Sequence, residues 1–132
     1  MKPEEIQKYG DALYEALKTR CAIDPLTQTH PGITIEDAYH VQLRMIDRRL
    51  AESGERIVGK KIGVTSQVVM DMLNVDQPDF GHLTSGMVYG DGAAIPADTL
   101  IAPKAEGEIA FVLKHDLTGP GVTNADVLRA TE

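Results

Sequence analysis

A chain of 132 residues is long enough for one domain with a hydrophobic core, and its 42% apolar and 25% charged residues match ordinary globular usage. The net charge of −7 and the scattering of Lys and Arg disfavour a phosphate-backbone partner, so no nucleic-acid partner is expected. No apolar run approaches the roughly 20 residues of a membrane helix, Met1–Glu5 carries no signal-peptide pattern, and Cys21 has no disulfide partner, which together point to the cytoplasm.

Residues 4–19 read as a helix, with Pro3 in its first turn and Ile6, Tyr9, Leu13 and Leu17 at helical spacing. A loop follows through Asp24-Pro25 and His30-Pro31-Gly32. Thr34 and Asp37 form a capping-box pattern for a second helix reaching about Glu52, with Ala38, Val41, Met45, Ile46 and Leu50 on one stripe. Ser53-Gly54 ends it. The character then changes, so the expected division is a helical region, 1–54, and the first part of a β-rich region, 55–132.

In that second region Arg56–Val64 reads as a strand and Ser66–Leu73 as a short helix. Gly90-Asp91-Gly92 reads as a hairpin turn between strands at 87–89 and 93–95. Glu106–Lys114 is the clearest strand, and Thr123 with Asp126 caps a last helix. Val127, Leu128 and Ala130 open an apolar pattern that is not completed by Glu132, which is the expectation for part of a longer protein.

Three stretches carry candidate chemistry. In Ala105-Glu106-Gly107-Glu108-Ile109, alternation along a strand puts both carboxylates on one face, roughly 7 Å apart at their roots, with Ile109, Phe111 and Leu113 turned to a core. A cation would relieve their repulsion, and all-oxygen donors favour Mg²⁺ or Mn²⁺ over zinc. A solvated strand bearing two acids explains the same spacing. In Lys60-Lys61-Ile62-Gly63-Val64-Thr65, Lys61, Gly63 and Thr65 share one face and Ile62 and Val64 the other. Lys61 is then either an acid–base or carboxylate-binding group, or a lysine protecting an edge strand. In Asp76-Gln77-Pro78-Asp79-Phe80-Gly81-His82, Pro78 and Gly81 read as a shaped loop. Asp79 is there a general base, a partner for Lys61, or a turn-forming residue, and His82 has no assigned role. There is no phosphate-binding glycine loop, no Cys/His metal spacing and no G-x-S-x-G.

The wording of these stretches, Lys61-Ile62-Gly63-Val64-Thr65-Ser66, Val75 to Gly81 and Ala105 to Lys114, closely resembles the 2-hydroxypenta-2,4-dienoate hydratases of the fumarylacetoacetate hydrolase superfamily. Asp116 to Thr123 and Asp126-Val127-Leu128 are similar to that family too, so the resemblance spans nearly the whole chain and corresponds to about the first half of a member. It implies an α+β fold in which helices precede a mixed β-roll. It also implies catalytic roles for Lys61 and Asp79, substrate binding at Thr65, and a divalent cation, Mg²⁺ or Mn²⁺, on Glu106 and Glu108. The family's third glutamate would fall a few residues after Glu132, which itself matches the motif just before that ligand. The implied reaction adds water to a 2-hydroxydienoate in the meta-cleavage degradation of aromatic compounds, by a homo-oligomer associated with the pathway's decarboxylase. The 2-oxo-3-hexenedioate decarboxylases share the K-x-G-x-T and E-x-E motifs, and His82-Leu83-Thr84 resembles them. A non-catalytic oligomerisation or partner-binding module is the alternative of a different class.

Overall fold

The computed structural model describes all 132 residues, which fall into two compact units, Met1–Ala102 and Pro103–Glu132. The change from helix to strand comes at Gly54, inside the first unit.

Helix α1 runs over Pro3–Thr19, α2 is a single turn at Leu26–Thr29 inside the expected loop, and α3 spans Ile35–Ser53. Thr34 caps α3: its hydroxyl accepts from the Asp37 amide while the Asp37 carboxylate accepts from the Thr34 amide. Gly54 closes α3 in the left-handed conformation that a residue without Cβ takes at little cost. α1 packs on α3 through Tyr14, Ala16, Val41 and Ile46, all buried. The expected stripe of α1 is displaced by part of a turn: Ile6, Tyr9, Leu13 and Leu17 are half-buried, because the helices meet over Gly10. That of α3 faces the core as expected at Val41 and Ile46, with Met45 and Leu50 half-buried and Ala38 alone exposed.

At Gly10 an added Cβ would collide with the Arg44 side chain and lie 3.0 Å from the Val41 carbonyl oxygen. An alanine normally stabilises a helix interior relative to glycine. Gly10→Ala is nevertheless expected to destabilise by about 1–3 kcal/mol through overpacking, read as a lowered midpoint in denaturant.

Charges reinforce this pair. Arg48 stacks on Tyr14, 4.7 Å from the ring centroid, and pairs with Glu15 and Glu52; Lys18 also reaches Glu52, at 2.9 Å. Hydrogen bonds from Arg48, then Lys18, hold the Glu52 carboxyl at about 2. The Met1 ammonium, then the Thr34 hydroxyl, holds Asp37 at about 2. Both groups bind protons more weakly in the folded state, so they stabilise above their unfolded pKa of roughly 4. That stability is lost as pH falls from about 4 towards 2. Thermal midpoints measured across this window should fall with pH, and Asp37→Asn and Glu52→Gln should each flatten the fall.

Strands β1, Ile57–Gly63, and β2, Asp79–Thr84, pair antiparallel, and helix α4, Gln67–Leu73, lies between them in sequence. The expected loop at Asp79–His82 is therefore a strand. Pro78 precedes its first residue, where a missing N–H costs no ladder bond, and Gly81 sits opposite Lys61. Thr84 is buried at the far end. The Glu55 carboxylate, held low chiefly by hydrogen bonds from Arg49, also accepts from the Gly86 amide and so ties the end of α3 to the exit of β2.

Gly90–Ala93 makes the expected turn, with the Ala93 amide on the Gly90 carbonyl, but the flanking segments do not pair as strands. The first unit contains two further short 3₁₀ turns, Ser85–Met87 and Ala97–Thr99.

In the second unit, α5 covers Asn124–Ala130 under the expected Thr123–Asp126 capping box. The expected strand Glu106–Lys114 does not form. Only Leu113 bridges, to Thr131, with the Lys114 amide on the Ala130 carbonyl and the Glu132 amide on the Val112 carbonyl. A strand is stabilised by its neighbours, and residues 105–112 have no partner strand. Ile109, Phe111 and Leu113 are consequently exposed, Ile109 at 86%, rather than in a core.

Candidate functional site

The antiparallel register does what sequence spacing alone could not. Lys61 lies opposite Gly81, and Gly63 opposite Asp79, so one face of the pair presents a lysine and an aspartate, each across from a glycine. Lys61 and Asp79 are diagonal neighbours, a relation that spans roughly 7–8 Å and is within reach of a long side chain. The glycines clear the face. A Cβ at Gly63 would run into the Asp79 carboxylate, and one at Gly81 would touch the Lys61 Cβ at 3.9 Å. Lys61 is half-buried and its Nζ donates to the Ile62 carbonyl at 3.1 Å.

Helix α3 holds the Asp79 end of β2. The Phe80 amide donates to the Tyr39 hydroxyl at 3.2 Å, and Gln42 Nε2 donates to the Phe80 carbonyl at 3.1 Å. Both backbone groups of the residue after Asp79 are thereby fixed by side chains of another element. The Tyr39 and Phe80 rings meet at 6.4 Å. Nothing in the sequence singles out Tyr39 and Gln42, whose only signal is position on a helix. Their role arises from which strand edge that helix meets.

On the other face, Ile62 and Phe80 sit opposite one another and are half exposed rather than buried. Val64 does not continue their face, because its φ of 55° turns the chain out of β1. Thr65 follows, exposed, and Ser66 then caps α4 by accepting from the Val69 amide at 3.3 Å. His82 is half-buried with Nδ1 unpartnered. Burial, and then the charge of Lys60, lowers its pKa against an opposing effect of Asp47.

Glu106 and Glu108 belong to the second unit and are both exposed on a stretch without regular secondary structure. No group of three or more His, Cys, Asp or Glu residues is placed to hold a metal ion. Two carboxylates are still a hard, all-oxygen donor pair, the type with which Mg²⁺ is bound when water and substrate complete its shell. Shallow depressions of about 450 Å³ between α1 and α3 and about 310 Å³ in the second unit are lined by none of the five candidate residues. No helix is long and apolar enough to cross a membrane.

No protein-family profile matches the chain. The proteins similar to it in sequence nevertheless include several hydratases. They include the 2-hydroxypent-2,4-dienoate hydratase of Pseudomonas putida, 61% identical over 128 residues, covering 96% of this chain and 57% of that protein. The 2-hydroxyhexa-2,4-dienoate hydratase of Comamonas testosteroni is 61% identical over 129 residues, covering 96% and 48%. A solved 4-oxalocrotonate decarboxylase from Pseudomonas putida G7, complexed with magnesium and adipate, superposes with a TM-score of 0.91 at 34% identity. It covers 100% of this chain and 50% of that one. The chain therefore spans about half the length of the relatives it matches. The resemblance to the 2-hydroxypentadienoate hydratases is borne out over nearly the whole sequence.

Proposed function

We propose that this chain supplies the Lys–Asp face and two metal-binding carboxylates of a hydratase. The enzyme would add water to 2-hydroxypenta-2,4-dienoate to give 4-hydroxy-2-oxopentanoate in the breakdown of aromatic compounds. The observation that carries the reading is the placing of Lys61 and Asp79 as diagonal neighbours on one glycine-cleared face of β1 and β2.

Lys61 and Asp79 suit proton transfer, since one offers a cationic donor and the other an anionic acceptor. Moving the C2 hydroxyl proton to C5 gives the 2-oxo-3-enoate, a conjugate acceptor. Water then adds its oxygen at C4 and a proton at C3. Thr65, two residues beyond the end of β1, serves as a substrate hydrogen-bonding group. Glu106 and Glu108 would hold the divalent cation, magnesium or manganese, which when bound supplies Lewis-acid stabilisation of the substrate's carboxylate and C2 oxygen. The solved decarboxylases carry magnesium in one case and calcium in another, which supports a divalent cation here. The remaining strands of a β-roll, a homo-oligomeric state, association with the pathway decarboxylase and a cytoplasmic location complete this reading.

The test is a chimera in which this chain is followed by the unmatched remainder of the Pseudomonas putida relative. Loss of the dienol's near-ultraviolet absorbance, dependent on Mg²⁺ or Mn²⁺ and giving 4-hydroxy-2-oxopentanoate, is the expected result. The high structural similarity to a decarboxylase favours one second reading. Carbon dioxide release from 2-oxo-3-hexenedioate without dienol turnover would establish that reading instead. Neither activity, with no metal-dependent stabilisation, would leave a non-catalytic binding module.

A further inference from the structure

We propose that Val64 is a positioning residue whose left-handed backbone locks the direction in which Thr65 leaves β1. Four non-glycine residues have positive φ: Arg20, Val64, Asn74 and Ala102. Arg20 and Asn74 terminate α1 and α4, where a left-handed residue is the ordinary way for a helix to end. Ala102 closes the first unit. Val64 alone is β-branched, and a branched Cβ in this region is a conformational outlier that folded structure must impose. Such strain persists where its surroundings over-determine it, and it concentrates at functional sites.

Those surroundings are visible on both sides. Gly63 is paired to Asp79, and a Cβ there would strike the Asp79 carboxylate, so the chain enters the corner from a fixed strand. Two residues later Ser66 is fixed as the cap of α4. Glycine at 64 would adopt the same φ without cost, and asparagine with little. Both would turn the corner, but only asparagine, like valine, carries a Cβ, which narrows the backbone conformations that glycine would leave open. Thr65 stands between the two anchors, and its orientation relative to the Lys61–Asp79 face is what a stiff corner controls. The inference rests on Thr65 as a substrate-binding group for its functional meaning, but the locking is a property of this chain.

The experiment compares Val64→Gly and Val64→Asn. In the chain itself, ¹⁵N relaxation should show the Thr65 amide passing from rigid, with an order parameter of about 0.85, to flexible, below about 0.6, in Val64→Gly. Val64→Asn should remain rigid. The thermal midpoint of Val64→Gly should not fall, because strain is released. In the chimera, Val64→Gly should raise KM about tenfold with a smaller change in kcat, and Val64→Asn should return KM to within about threefold of the parent. An unchanged Thr65 amide in Val64→Gly overturns the proposal. So does a lowered midpoint, or a KM effect that asparagine does not rescue, which would assign the role to the isopropyl group. A parent chimera without hydratase activity would overturn the proposed reaction, and the relaxation data would still decide the lock.

Discussion

Asp79→Asn in the chimera should lower kcat by about 10²–10⁴-fold, the usual range for a positioned acid–base group, with little change in stability. The substitution keeps the shape of the side chain over Gly63 and removes its ability to take a proton. Lys61→Met should have an effect of similar size, and the double variant should lose much less than the product of the two, because diagonal neighbours on one face act as a unit. Gly63→Ala separates position from chemistry. It leaves both titratable groups in place and pushes the Asp79 carboxylate aside, so kcat should fall while the fold, followed by circular dichroism, persists. Full activity in Asp79→Asn, or additive losses in the double variant, would remove the Lys–Asp pair from the mechanism.

The second large effect is expected at the carboxylates. Glu106→Gln or Glu108→Gln preserves volume and deletes one negative charge of the donor pair. Each should weaken Mg²⁺ binding at least tenfold by calorimetry and lower metal-stimulated turnover by about 10²-fold, equivalent to about 3 kcal/mol of transition-state stabilisation. Chelation of the parent chimera should have the same consequence, reversed by added Mg²⁺ or Mn²⁺. If either glutamine variant kept full metal-stimulated turnover, the ligand assignment would be wrong. The two sets of variants give distinct signatures. Loss at Asp79 should leave metal affinity intact, whereas loss at Glu106 or Glu108 should be partly overcome by excess metal.

Much of this protein follows from its sequence alone. Thr34 with Asp37, Thr123 with Asp126, Gly54 and Ser66 act within a few residues of themselves, so the helix ends they set are legible without any tertiary information. The strand at Ile57–Gly63 is legible from its residue pattern, and the likeness to dienoate hydratases from the wording of several stretches. Tertiary structure decided what depends on partners distant in sequence. Asp79–His82 looks like a loop until β1 pairs with it, and that register brings Lys61 and Asp79 onto one face. Tyr39 and Gln42 gain a role only because α3 meets the backbone of Phe80. The opposite case is Glu106–Lys114. Its alternating pattern is that of a strand, yet pattern supplies only a preference, and hydrogen-bonded neighbours are what turn a preference into a sheet.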